Sequence, residues 1–367
     1  MGSGFAGQGH TEALRYCGVE VVGMVSRTKD VVEDVCAKLN IPYASTDWTQ
    51  ALSDLQPDIV AIATPGGAHF EAIMQALSQG CHVFSDKPLA ETAEKSQQLY
   101  EQSKVAGVKT AYAASYRYQP NVLHAKELIQ QGKVGQPLEI ECISHFRLNP
   151  LIPFGWSHRI ESGGGRLNNN FTHKLSIVEY LLDEGKITHL DGSIRNDMPK
   201  APVVSGVHDF RTRRDFIPSE DELDTVEWAD ANAEWSYVAT MQFESKLSEK
   251  SVLALFKHSG LQPRVSDDHI VIYGDEGAIL MTGCYGQADL FIYEADTWVK
   301  QTLPDTILAQ VPDIEADTER NWTALMREFV ADIRGESYVP YQTFEQGWQY
   351  QRIIEHIRAD NQTVWSA

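Results

Sequence analysis

The first seven residues constrain the fold most. Gly2-Ser3-Gly4-Phe5-Ala6-Gly7 has the spacing G-x-G-x-x-G. Glycines at those intervals let a chain turn sharply from a strand into a helix and let backbone approach a diphosphate closely. The free N–H groups and positive dipole end of the helix then face that anion. Alone the motif is weak, because any α/β fold can start on a Gly-rich turn. Here a helix-compatible stretch, His10 to Tyr16, and a β-rich run, Val19 to Val25, follow it. The pattern therefore predicts dinucleotide binding on Gly2, Gly4, Phe5, Ala6 and Gly7. It also predicts a defect. Such a turn leaves a buried first strand of ~5–6 residues, yet only Met1 precedes Gly2. The expectation is a sheet lacking its central first strand, and a natural chain that begins upstream with a short apolar β-rich segment.

The next hundred residues alternate strand and helix signals. Asp30 to Leu39 is helical, and Asp58 to Ala63 is an apolar run suited to a strand buried on both faces. His69 to Ser78 is helical and closes at Gly80; Cys81 to Ser85 is a strand, Glu94 to Ala106 a helix and Lys109 to Ala114 a strand. That rhythm predicts a doubly wound Rossmann domain over residues 1–118. It changes near Pro120. After a helix from Asn121 to Gln131, strand signals dominate: Pro137 to Leu148, Ile187 to Arg195, Trp235 to Ser245, Ser251 to His258, His269 to Tyr273, Ala278 to Thr282 and Asp289 to Glu294. Short turns between them predict an open, mostly antiparallel sheet in a C-terminal α/β domain over residues 119–367. Arg214 to Glu234 reads as a long exposed excursion. Two helices end the chain, the first with an apolar stripe of Trp322, Leu325, Met326, Phe329, Val330 and Ile333.

Composition excludes some functions. A formal charge of −20 opposes a nucleic-acid or anionic-membrane surface, which needs clustered Lys and Arg. No apolar run approaches the ~20 residues that span a bilayer. The histidines form no metal-ligand spacing, so no protein-bound metal is expected. Cys17, Cys36, Cys81, Cys142 and Cys284 are dispersed and odd in number, which reads as free thiols in a reducing, cytoplasmic compartment.

At the end of the second strand stand Ser26 and Arg27. An NAD site usually places a carboxylate here for the ribose 2′-hydroxyl. A small polar residue followed by a guanidinium suits a 2′-phosphate, so NADP is favoured over NAD. A solvated loop arginine is the other reading.

Together with GSGFAGQGH, the segments AIATPGGAHFEAIMQAL, GCHVFSDKPL, SYRYQP and GWSHRIESGGG and the His173 helix resemble, over nearly the whole chain, the glucose–fructose oxidoreductase/inositol dehydrogenase/rhizopine catabolism family (Gfo/Idh/MocA). The resemblance implies that Thr64, Pro65 and His69 lie beside the cofactor, although His69 could merely cap the following helix. Asp86-Lys87-Pro88 looks like that family's E-K-P motif with Asp in place of Glu, which implies Lys87 near nicotinamide and substrate. The run from Gly163 to Ser176 looks like its second catalytic motif: His173 is kept, while Asn169 and Ser176 stand where carboxylates are expected and Phe171 replaces a glycine. Asn169 can hydrogen-bond substrate but cannot act as a base. Trp156, His158 and Arg159 resemble a segment lining the substrate cleft, and Tyr116 and Arg117 one at the domain junction. Each of these five could instead be a packing or surface residue.

The implied chemistry is hydride transfer to or from a sugar, polyol or related hydroxy or keto compound. His173 would exchange the hydroxyl proton and Lys87 would steady the oxygen. The resemblance also implies a homo-oligomer, dimer or tetramer, assembled on the second domain's sheet. Two alternatives stay open: a cofactor-assisted glycoside hydrolase, and a non-catalytic dinucleotide-binding sensor or partner subunit.

Overall fold

The computed structural model describes residues 1–207, 209, 211–262, 267–283 and 288–359. From the glycine turn the chain runs through α1 (Phe5–Tyr16), β1 (Gly23–Val25), α2 (Lys29–Leu39), β2 (Tyr43–Ser45), α3 (Trp48–Leu55), β3 (Ile59–Ile62), α4 (His69–Ser78), β4 (His82–Ser85), α5 (Ala93–Ala106) and β5 (Thr110–Tyr112). Side chains set several ends. Asp47 and Thr92 accept backbone N–H groups at the starts of α3 and α5. Gly107 ends α5 in the left-handed conformation. β3, β4 and β5 pair in parallel. Ile62, Val83 and Phe84 are fully buried between the helix layers, as the apolar runs require.

β1 and β2 also pair in parallel, but as a separate two-stranded sheet. Among the described residues, Met1 and Gly2 bridge the two halves by backbone hydrogen bonds. The Gly2 N–H donates to the Val25 carbonyl at 2.7 Å, and the Ala63 N–H to the Met1 carbonyl at 2.8 Å. The Met1 ammonium donates to the Ala61 carbonyl at 2.5 Å. Desolvation pushes that ammonium's pKa down to about 6. Beside this bridge lies a cavity of about 530 Å³, lined by Leu14, Val21, Met24, Leu52, Val60 and Ile333 among others. The interruption expected from the sequence falls here, between β1 and β3.

The second domain adds α6 (Pro120–Gln130), β6 (Pro137–His145), α7 (Thr172–Leu181), β7 (Lys186–Arg195), β8 (Lys200–Pro202), β9 (Trp228–Asp230), β10 (Ser236–Glu244), β11 (Val252–Ser259), β12 (Asp267–Gly274), β13 (Ala278–Thr282), β14 (Leu290–Glu294) and β15 (Thr297–Lys300). Then come α8 (Asp305–Leu308), α9 (Asp317–Arg334) and α10 (Phe344–Arg358). Eight strands form one open sheet in the order β15-β14-β13-β12-β6-β11-β10-β7. Within it only β6 and β11 are parallel neighbours. In β10, Tyr237, Ala239, Met241 and Phe243 enter the core while Val238 and Gln242 face out. That alternation marks a sheet covered on one face.

Three features depart from the sequence reading. β2 and α3 were not expected, because Tyr43–Ser45 is too short to show a period. The excursion is partly structured, since β9 pairs with β8 inside it. The last two helices fold back on the N-terminal domain although they follow the second in sequence. A Cβ on Gly9 of α1 would lie 2.4 Å from the Trp322 ring of α9. Before α10, the Gln342 carbonyl accepts the Tyr112 N–H at 2.8 Å. The apolar stripe of α9 buries Trp322, Leu325, Met326, Phe329 and Val330 against Ala13, Leu14 and Phe84. Each such large side chain contributes roughly 1.5–3 kcal/mol of transfer energy. A boundary at residue 118 thus follows chain order, while packing returns α9 to the first domain and sets α10 between α5 of the first and β7 of the second.

Candidate active site

At Gly2 and Gly7 the turn has no room for a side chain. A Cβ on Gly7 would sit 1.9 Å from the Gly2 carbonyl oxygen. On Gly2, at φ +102°, it would meet the Ala63 oxygen at 2.6 Å. This compression brings the N-terminus of α1 to the surface of the turn, and no side chain of Gly4 caps it. The Phe5 N–H donates to Asp209 Oδ2 at 2.9 Å. A carboxylate oxygen stands there for an anionic oxygen of any kind, so the cradle fits a diphosphate. Ser3 Oγ donates to Ser26 Oγ at 2.8 Å, tying the turn to the end of β1, and Arg27 beside it is exposed.

The loop after β3 carries half-buried Thr64 and exposed Pro65. His69, expected at the cofactor, is fully enclosed behind this loop. Its Nε2 lies 2.7 Å from the Thr64 carbonyl and its Nδ1 3.3 Å from the Leu89 carbonyl. Burial lowers its pKa; the neutral ring can donate to only one of the two carbonyls, and it packs between the Thr64 loop and the segment after β4.

That segment holds Asp86 and Lys87. Asp86 Oδ1 accepts the Lys87 N–H at 2.9 Å, and the Asp86 N–H donates to the Ile62 carbonyl at 2.9 Å. Lys87 is half-buried at the carboxyl edge of the parallel sheet. Desolvation and the nearby Arg166 guanidinium lower its pKa, while Asp86 raises it.

The second domain meets this edge through glycines. A Cβ on Gly163, at φ +80°, would lie 2.8 Å from the Gly66 Cα and 3.1 Å from Pro88. Residues Leu167–Phe171 form a π-helical turn that runs directly into α7. Such turns often occur at functional sites. Glu234, fully buried, accepts the Leu167 N–H at 2.9 Å and pairs with Arg358 at 2.9 Å. This anchors the segment that presents half-buried Asn169 and buried His173. Arg166 Nη1 donates to Asn169 Oδ1 at 3.5 Å.

His173 stacks on Tyr116, with ring centroids 4.0 Å apart. Desolvation first, then the charges of Lys87 and Lys174, hold its pKa well below 6.5. It is neutral at neutral pH, because burial and the two lysines oppose its protonation. Lys174 itself is paired with Asp268 at 2.7 Å. Ser176, at a position where the motif expects a carboxylate, is fully buried. It donates to the Ala114 carbonyl at 3.0 Å and bonds Gln342 Oε1 at 3.0 Å, which makes it a packing junction.

Three expected substrate contacts are placed differently. Arg117 is buried and paired with Glu184 at 2.5 Å, with its guanidinium over Tyr180, because its charge neutralises the far end of α7. His158 is fully enclosed, accepts the Gly155 N–H at 3.2 Å and packs between Phe154 and Trp235. Arg159 is exposed and lies over Phe154. Trp156 does line a small pocket at the site, with Ser157, Arg166, Asn169, Arg213 and Trp235.

The comparisons agree with this architecture. Residues 1–113 match the oxidoreductase family with an NAD-binding Rossmann fold, and residues 122–280 match the GFO/IDH/MocA C-terminal domain. The chain belongs to the Gfo/Idh/MocA oxidoreductase family. Levoglucosan dehydrogenase of Pseudarthrobacter phenanthrenivorans is 25% identical over 56% of this chain and 55% of its own length. The NAD(+)-dependent scyllo-inositol 2-dehydrogenase of Bacillus subtilis is 29% identical over 52% and 55%. The chain thus matches these relatives over about half their length. A solved structure of levoglucosan dehydrogenase with NADH has the same fold, at 19% identity, TM-score 0.78 and coverage of 97% of this chain and 94% of that one.

For a Gfo/Idh/MocA protein, four residues at this site escaped the sequence reading. Arg166 directly follows the Gly163-Gly164-Gly165 run, and that adjacency was the available signal. Glu234, Asp209 and Arg213 lie far along the chain in or beside the excursion, where no local pattern marks them.

Proposed function

We propose that this protein is an NAD(P)-dependent oxidoreductase that moves hydride between the dinucleotide and a sugar, polyol or related hydroxy or keto compound. One observation carries the reading. The second domain packs on the segment that carries Lys87, with Gly163 against Gly66 and Pro88, and His173 on α7 of that domain stacks on Tyr116 of the first. The bound dinucleotide supplies the hydride acceptor or donor. Gly2, Gly4, Phe5, Ala6 and Gly7 hold its diphosphate, with Thr64, Pro65 and Asp86 alongside. His173 takes the hydroxyl proton in oxidation and returns it in reduction. Lys87 holds the substrate oxygen and favours its negative form. Asn169, Trp156 and Tyr116 bound the substrate, and Asn169 contributes a neutral amide to its hydroxyls.

Ser26 and Arg27 support NADP over NAD, since no carboxylate stands at the end of β1 and the guanidinium is free to meet a 2′-phosphate. The half-open sheet, with Leu253, Tyr293 and Trp298 exposed, supports assembly as a dimer or tetramer. Free Cys17, Cys36 and Cys81 support a cytoplasmic location; Cys284 lies outside the described residues. Titrating the protein with NADH and with NADPH tests the cofactor assignment. Tighter NADPH binding that is lost in Arg27→Ala is expected; tighter NADH binding, unaffected by that change, contradicts it.

A further inference from the structure

Asp209 sits where a dinucleotide's diphosphate belongs. It comes from the second domain, 204 positions from the N–H it binds, and its Oδ2 accepts from Phe5 at 2.9 Å. The same oxygen would lie 3.8 Å from a Cβ on Gly4, so the carboxylate rests directly on the glycine turn. Its other oxygen accepts the Arg211 N–H at 2.7 Å. Arg211 in turn places its guanidinium 3.2 Å from the centre of the Phe5 ring and pairs with Glu319 of α9 at 2.9 Å. The contact is therefore braced from the turn itself, from α9 and from its own backbone.

We propose that Asp209 is an affinity-determining residue, whose carboxylate competes with the dinucleotide diphosphate for the N-terminus of α1. The inference rests on the dinucleotide reading given above. A carboxylate and a diphosphate cannot share one N–H donor, and two anions at the same helix end repel. Binding then requires Asp209 to leave, and the apparent Kd is the intrinsic Kd divided by the fraction of molecules in which it has left. A hydrogen bond to a charged group is strong enough to keep that fraction small. Departure also frees Arg211, a cation adjacent to the incoming phosphates.

The test is fluorescence titration and stopped-flow binding of NADH and NADPH to the full-length protein and to Asp209→Ala and Asp209→Asn. Asp209→Ala should bind about tenfold more tightly, through faster association with dissociation little changed. Asp209→Asn, which keeps an acceptor without the charge, should fall between. An unchanged Kd in Asp209→Ala overturns the proposal, and a weaker Kd shows that Asp209 supports the bound state instead. If neither the unmodified protein nor the variants bind either dinucleotide, the dinucleotide reading itself fails and the proposal with it. Unchanged melting temperatures in both variants confirm that folding is not the cause.

Discussion

Tyr116 lies flat against His173, with planes only 16° from parallel and centroids 4.0 Å apart. The phenol ring and the imidazole come from different domains, so the stack fixes His173, the proposed proton-transfer group, relative to the first domain. Tyr116→Ala should therefore leave the fold intact but lower turnover, by about tenfold. His173→Ala should cost more, on the order of 100- to 10,000-fold. Tyr116→Phe, which keeps the stack, should be close to normal. Steady-state kinetics on an identified substrate check the ranking, and equal losses in Tyr116→Phe and Tyr116→Ala would contradict it.

Buried histidines should make the protein acid-sensitive. Desolvation lowers His10 and His158 to about 4 and His258 to about 3. Each takes up a proton near pH 6.5 when unfolded but resists it when folded, so the unfolded state binds more protons between those values. Stability is full above pH 6.5 and is lost as the pH falls toward 4. At about 1.4 kcal/mol per pH unit, His10 alone accounts for roughly 3 kcal/mol over the window that ends at its folded value of about 4. Melting temperature against pH measures this, and a flat curve from pH 7 to 4.5 would refute it.

The Arg117–Glu184 pair should matter for stability and little for substrate. Glu184→Gln leaves a buried guanidinium without its charge partner. Because Glu184 is itself largely exposed, the cost should be moderate, about 1–2 kcal/mol. Thermal denaturation should show a lower Tm at an unchanged KM. A raised KM at constant Tm would return Arg117 to the substrate cleft.

The split sheet predicts a gain from design. Joining about five alternating β-branched and apolar residues ahead of Met1 would pair β1 with β3 and fill the adjoining cavity. Such a variant should melt on the order of 5 °C higher and bind dinucleotide more tightly. No change in either quantity would show that the cavity does not admit a strand.

Much of this was legible in the sequence because local patterns carry it. The runs at Ile59–Ile62 and His82–Ser85 are apolar for a reason that acts within each strand, burial on both faces. His69–Ser78 was bounded correctly by its own periodicity and by Gly80. Lys87 and His173 were singled out by motifs that resemble the family's, not by any periodicity of their own. The remainder depends on contacts between distant segments. The return of Trp322 to Gly9, the anchoring of Leu167 by Glu234 and the seating of Asp209 on Phe5 leave no local trace. Arg117 and His158 were misplaced for the converse reason. Polar residues in a suggestive motif look the same whether they face a cleft or neutralise the core.

The central claim is tested most directly by nicotinamide absorbance. The protein, Lys87→Met and His173→Ala would each be mixed with NAD⁺ or NADP⁺ and a panel of polyols and aldoses, and the reverse reaction run with the reduced cofactors and keto compounds. The account predicts stoichiometric cofactor reduction or oxidation with at least one member of the panel, and a loss of about 100-fold or more in each variant while dinucleotide Kd stays near normal. Dinucleotide binding with no net redox change across the panel, or full rates in both variants, would contradict it.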